Sequence, residues 1–319
     1  MNMNLTRWFQ VAAFGWFMLL PVLGIENSIH AQLPADVTIN HDAGRGNFLF
    51  VTPQLENGED LPLVVDTGAP GTLLDKSLEP KLGKRLGTRT IWMLGGKQKV
   101  AIYSAPNLYL GGVPLMTGGN IITCDLKKYS SRAGRPVMGF LGMDCLEHYC
   151  IQLDFEARKM RFLDPDHAKT TGLGKAFPVT FASDDKAELI APWIPQPGLL
   201  GGTSSNSVID TGCNIDGLTE KAAMKSHESG GCWTRLKHFM IENGVVKGKA
   251  VALPECVWDG NIYSNITIGK APSDSPSWIG LRFLARHLVT LNFPKGVIYL
   301  KRTSIGPLIK ENTNATEKL

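Results

Sequence analysis

Along most of the chain the apolar residues come in short runs rich in Val, Ile, Leu and aromatic side chains, broken by Gly, Pro and Asn. That spacing predicts strands; long helical periodicity is scarce, and the expected class is mainly β. Phe48 to Thr52 followed by Glu56-Asn57-Gly58, and Met240-Ile241 followed by Asn243-Gly244, read as strands entering hairpin turns, because Asn-Gly supplies positive φ at low steric cost. Brief helices are expected at Thr219 to Ser226, around Asp144 to His148 and around Arg282 to His287.

Two of the apolar runs end in the same triplet, LPLVVDTG at Leu61 to Gly68 and SVIDTG at Ser207 to Gly212. A second shared block follows each. VMGFLGMDCLEHYCIQLDFEARKMRFL (Val137 to Leu163) matches SWIGLRFLARHLVTLNFPKGVIYL (Ser277 to Leu300) without a gap, aligning Gly142 with Gly280, Leu146 with Leu284, Leu153 with Leu291 and Phe155 with Phe293 at one offset, 280 − 142 = 138. The triplets are offset by 210 − 66 = 144. A third correspondence opens each half, with Val37-Thr38-Ile39 before the first triplet and Val179-Thr180-Phe181 before the second. Two large units imply a two-lobed body, since a solenoid needs several short repeats.

The boundary falls in Asp164 to Phe177, where Gly, Thr and Lys replace the apolar pattern. The expected organisation is a leader over 1–31, a first lobe over 32–165, a linker over 166–177, a second lobe over 178–305 and a polar tail over 306–319. Gly201 to Ser207 replaces the tighter Glu56 to Asp60 turn and is expected to be a surface loop.

The leader has Arg7, an apolar stretch from Trp8 to Ile25, then a polar segment ending at Ala31, the order of a secretory signal. Its eighteen apolar-stretch residues would span only about 27 Å as a helix and Pro21 interrupts them, so export is expected, periplasmic or extracellular, with an uncleaved membrane anchor as the alternative. A net charge of +4 without a dense basic run does not suggest nucleic acid. In an exported protein Cys124, Cys145, Cys150, Cys213, Cys232 and Cys256 are candidates for disulfides, with buried free thiols the equal alternative. No cysteine or histidine spacing suits a metal, and the segment from Gly212 to Ala223 lacks the end ligands of a calcium loop, so no metal and no cofactor are expected.

The chemistry lies in the repeated triplet. A given tripeptide arises by chance in roughly one chain in twenty of this length, so one copy means little and its bland reading is a turn after a strand. Two copies in matching contexts point to Asp66 and Asp210 meeting between the lobes. Two carboxyl groups about 3 Å apart cannot both ionise easily; they share a proton and present an acid and a base together. Gly68 and Gly212 let the backbone approach and offer N–H donors, and the Thr67 and Thr211 hydroxyls can bond across to the opposite lobe.

On Asp66-Thr67-Gly68-Ala69, Asp210-Thr211-Gly212-Cys213 and the apolar-apolar-Gly motifs Phe140-Leu141-Gly142 and Trp278-Ile279-Gly280, the chain resembles the aspartic proteases, the pepsin and retropepsin group, over roughly Val37 to Lys301. The resemblance implies two homologous β-barrel-like lobes about a pseudo-twofold axis, Asp66 and Asp210 as the catalytic pair, a peptide or protein substrate, no cofactor, and a monomer. It also implies a β-hairpin flap, for which Trp92 to Val100 with Gly95-Gly96 at the tip is the first-lobe candidate, an ordinary surface hairpin being the alternative. The chain departs from the pepsin pattern at Ala69-Pro70 and Cys213-Asn214, where Ser or Thr is usual, and Tyr103 lies too far along the hairpin to match the pepsin flap tyrosine. A catalytically silent member of that fold, binding peptide or protein in its cleft, is the rival expectation.

Overall fold

The computed structural model describes residues 32–93, 96–182, 191–200, 206–219, 236–237, 250–271 and 277–309. The leader, the tip residue Gly95, the Asn243-Gly244 turn, most of the Gly201 to Ser207 loop, Cys232 and the end of the tail lie outside them, as does the helix expected after Thr219.

The described chain is mainly β. The strands that carry the triplets, Leu63–Val65 and Ser207–Asp210, are buried along their whole length. Their apolar stretches, Leu63-Val64-Val65 and Val208-Ile209, fit that position, because each strand pairs in parallel with a central neighbour, Gly139–Leu141 and Ser277–Gly280.

The repeat read from the sequence is a repeat of topology. The first half's seven-stranded sheet runs Phe50–Val51, Leu63–Val65, Gly139–Leu141, Leu73–Asp75, Asn120–Cys124, Gly96–Ser104, Arg85–Met93. In the second half the order is Ala191–Ile194, Ser207–Asp210, Ser277–Gly280, Gly217–Thr219, Asn261–Lys270, Ala250–Trp258, Leu236–Lys237, with Thr180–Ala182 added at one edge. The sense of pairing agrees too, parallel between the triplet strand and the apolar-apolar-Gly strand and antiparallel between that strand and the next. Both sheets are open, with an edge strand at each end, so the barrel-like closure expected of the lobes is not present among the described residues.

A six-stranded sheet joins the halves in the order Val37–Thr38, Lys159–Leu163, Cys150–Asp154, His287–Asn292, Val297–Arg302, Lys175–Pro178. Its centre is self-symmetric. Gln152 faces Thr290, its own counterpart at the offset 290 − 152 = 138, and donates Nε2 to Thr290 Oγ1 at 3.0 Å. The two central strands therefore pair antiparallel about positions that the repeat makes equivalent.

Two expectations shift at the sheet's ends. Lys175–Pro178, which runs from the end of the expected linker into the first residue of the expected second lobe, is an edge strand bonded to Val297–Leu300. Ile39 N bonds Arg158 O, and Val179 N bonds Gly296 O, which is 158 + 138. Ile39 thus corresponds to Val179, so the third correspondence is two residues out of register; sheet pairing, rather than the similar Val-Thr lettering, sets the alignment.

The expected helices after each apolar-apolar-Gly motif are single turns, Met143–Leu146 and Leu281–Leu284. The second is shorter than expected because His287 already begins a strand of the joining sheet. A further helix, Lys127–Ala133, gave no sequence signal over its two turns and ends on Gly134 at φ 66°. The Glu56-Asn57-Gly58 turn is present, with Gly58 at φ 79°. Apolar packing is continuous through both halves and the joining sheet, from Ile39 and Leu63 to Ile279 and Leu300. Among the described residues no helix is long and apolar enough to cross a membrane, and the five described cysteines are free thiols.

Candidate functional site

Asp66 and Asp210 stand where the two buried parallel pairs end. Asp66 N donates to Leu141 O at 3.0 Å, and Asp210 lies opposite Gly280 in register. Each chain then turns back on its own carboxylate. Gly68 N and Ala69 N donate to Asp66 Oδ1 at 2.9 and 3.1 Å, and Gly212 N and Cys213 N donate to Asp210 Oδ1 at 2.8 and 3.1 Å. Cys213 supplies this through its backbone, so a thiol in place of a hydroxyl leaves the amide pattern intact.

The glycines bring the halves together. A methyl group on Gly68 would stand 2.6 Å from Asp210 Oδ1, and one on Gly212 would come closer still to the Asp66 carboxylate. Contacts that short are excluded, so each glycine is the space in which the opposite aspartate sits. The two carboxyls are within hydrogen-bonding reach of each other.

Behind the carboxyls the threonines cross. Thr67 N donates to Thr211 Oγ1 and Thr211 N to Thr67 Oγ1, each at 3.0 Å. The hydroxyls donate onward, Thr67 Oγ1 to Ile209 O at 2.7 Å and Thr211 Oγ1 to Val65 O at 2.8 Å. Both side chains are fully buried, and every polar atom in the crossing has a partner.

The electrostatics follow from this enclosure. Burial pushes the carboxyls of both Asp66 and Asp210 up from the ordinary carboxylate range, Asp210 well above it because the Asp66 charge adds to its burial. Opposing amide bonds favour the ionised form but do not cancel the rise. The pair can therefore hold one proton between two oxygen-rich groups, giving an acid and a base at one point.

A tier below the carboxyls had no sequence expectation. In the first half Thr72 N and Oγ1 both donate to Asp144 Oδ1 at 2.7 Å, and Gly142 N donates to Thr72 Oγ1 at 3.1 Å. The corresponding second-half residues are Asp216, from 72 + 144, and Arg282, from 144 + 138. Asp216 is fully buried and bonds Arg282, Arg286 at 2.7 Å and Thr267 N at 2.7 Å. The offsets make the two pairs equivalent in position, and the structure shows that each pair is in contact.

Of the flap candidates, Trp92 lies in the strand Arg85–Met93 opposite Lys97, and Gly96 opens Gly96–Ser104 opposite Met93. The hairpin is formed as expected, with Gly95 outside the described residues. Its outer strand, Arg85–Met93, is the sheet edge at the end away from Leu63–Val65. Among the described residues no group of three or more His, Cys, Asp or Glu is arranged to hold a metal ion.

Fold and site together define a β protein of two topologically equivalent halves with two carboxyl groups meeting between them. The chain matches no protein-family model and no curated protein.

Proposed function

We propose that the protein is an exported aspartic endopeptidase of pepsin-like or retropepsin-like fold, with Asp66 and Asp210 as its catalytic pair. The observation that carries this is the meeting of the two carboxyls, one from each half, in surroundings that raise the proton affinity of both. The equivalent sheet orders and the pairing of Gln152 with its repeat counterpart Thr290 support the reading of two lobes about a pseudo-twofold axis.

The ionised carboxyl takes a proton from a water held between the pair as the water oxygen attacks the peptide carbonyl carbon. The protonated carboxyl hydrogen-bonds the carbonyl oxygen. The tetrahedral intermediate collapses with cleavage of the C–N bond, the leaving nitrogen takes a proton from the pair, and the products are a carboxylic acid and an amine. No covalent enzyme intermediate is needed. The threonine crossing holds the two carboxyls level, which positions the water for both groups at once.

The test is digestion of a mixed peptide library from roughly pH 3 to pH 8, with and without a chelator, by the wild type and by Asp66→Asn. Chelator-resistant cleavage with an acid-side maximum, abolished by Asp66→Asn, is expected. Equal peptide profiles from wild type and variant at every pH would leave a peptide-binding protein without hydrolytic activity.

A further inference from the structure

Both halves seat the loop after the triplet on the following helix in the same way. Met143 N donates to Ala69 O at 2.8 Å, and Leu281 N donates to Cys213 O at 2.7 Å, residues related by the two repeat offsets. The side-chain locks beneath differ in kind. The first half uses a hydroxyl on the loop and a carboxylate on the helix, Thr72 and Asp144. In the second half the carboxylate has moved to the loop, at Asp216, and a guanidinium, Arg282, stands on the helix.

Arg286 makes this lock larger than its counterpart. It is 0% exposed, donates from Nη2 to Asp216 Oδ1 at 2.7 Å, and donates from Nη1 to Ser264 O at 2.7 Å and Ile305 O at 2.9 Å. Its own carbonyl accepts from Thr303 N at 2.8 Å and Ser304 N at 3.1 Å. One buried cation therefore ties the loop to the long strand Asn261–Lys270 and to the segment after the last strand. Asp216 is held through its main chain as well, its N donating to Thr267 O at 3.2 Å and its O accepting from Gly280 N at 2.8 Å.

We infer that the Asp216–Arg282–Arg286 cluster is the positioning device of the second loop, fixing the backbone from Asp210 to Gly217 so that the Asp210 carboxyl faces Asp66. The inference rests on the reading of Asp66 and Asp210 as a catalytic pair. Stability alone is a poor reason for the cluster, since buried ion pairs are often no better than well-packed apolar residues, and the first half shows that a hydroxyl suffices to tie such a loop. What the ionic form adds is direction: a carboxylate with three donors in fixed positions has one place to sit. The cluster touches no reacting atom, so its residues position and do not catalyse.

The test writes the first half's lock into the second, using Asp216→Thr, Arg282→Asp and the double variant. Arg282→Gln serves as the mild case, in which Asp216 keeps Arg286. Peptide cleavage is resolved into kcat and KM, and amide hydrogen exchange is followed separately over 210–217 and 66–75. Each single exchange is expected to lower kcat about tenfold or more with KM changed less than about twofold, as a displaced catalytic group does. Exchange should quicken over 210–217 and not over 66–75, Arg282→Gln should move both readouts the same way by less, and the double variant should recover both. Unchanged loop exchange in Arg282→Gln, or a double variant no better than Arg282→Asp, overturns the inference. If the singles do not fold, the double variant and Arg282→Gln still decide it. Absence of cleavage by the wild type removes the catalytic reading, and the exchange pattern then decides the positioning role by itself.

Discussion

Thr67 and Thr211, 144 residues apart, exchange one bond in both directions, each backbone N–H donating to the other's Oγ1 at 3.0 Å. The two halves are thus fastened by the residues next to the acidic pair, and a change in either threonine reaches both carboxyls. Thr211→Val keeps the shape but leaves Thr67 N without its acceptor in a fully buried place. Such an orphaned group costs about 1–3 kcal/mol, so urea unfolding should show a loss of that size. Thr211→Ser keeps the oxygen and should lose under about 1 kcal/mol.

Gly68→Ala and Gly212→Ala place a methyl against the opposite carboxylate. Overpacking of this kind costs about 1–3 kcal/mol, and here the atoms pushed aside are the candidate catalytic ones. Both variants should lose peptide cleavage out of proportion to their loss of stability, measured as kcat/KM against thermal midpoint.

The raised carboxyls also make stability depend on pH. A carboxyl whose folded value exceeds its unfolded one binds more protons when folded, so its contribution falls as pH climbs from the ordinary carboxylate range through the raised folded value. Asp210→Asn removes the burdened group. It should be inactive yet more stable than wild type near neutrality, with the difference shrinking toward acid, as read from thermal midpoints across pH.

His287 acts in the opposite sense. It is buried, its Nδ1 bonds Phe283 O at 3.1 Å and its Nε2 faces Tyr263 OH at 2.9 Å. These partners suit a neutral ring that donates through Nδ1 and accepts at Nε2, and burial pushes its pKa down to about 4. The unfolded chain protonates first, near 6.5, so stability is lost as pH falls from there to about 4. The full effect is about 3 kcal/mol from a shift of this size. His287→Gln should flatten that acid limb of a stability–pH curve even if it lowers stability at neutral pH.

Much of the site is legible in the sequence because strand, triplet and apolar-apolar-Gly block each occur twice at nearly constant offset. The buried runs LVV and SVID announce central strands, and an aspartate at the end of each needs a partner, which the other copy supplies. Asp66, Asp210, both threonines and both glycines can therefore be named from the order of residues alone. Asp216, Arg282 and Arg286 cannot, because their meaning depends on which loop lies against which helix. A lone acidic residue in the loop and two arginines near the chain's end carry no local pattern.

The sequence by itself determined the β class, the duplication and the residues of the acidic pair, all of which rest on periodicity and repetition along one dimension. The tertiary structure decided what depends on pairing across the chain. Sheet register corrected the opening correspondence by two residues, since hydrogen bonds to Arg158 and Gly296 fix Ile39 against Val179 whatever their neighbours spell. It made a strand of Lys175–Pro178, and among the described residues it left both large sheets open. It also set the proton affinity of Asp66 and Asp210, because desolvation and the approach of a second carboxyl arise only when the two halves close on one another.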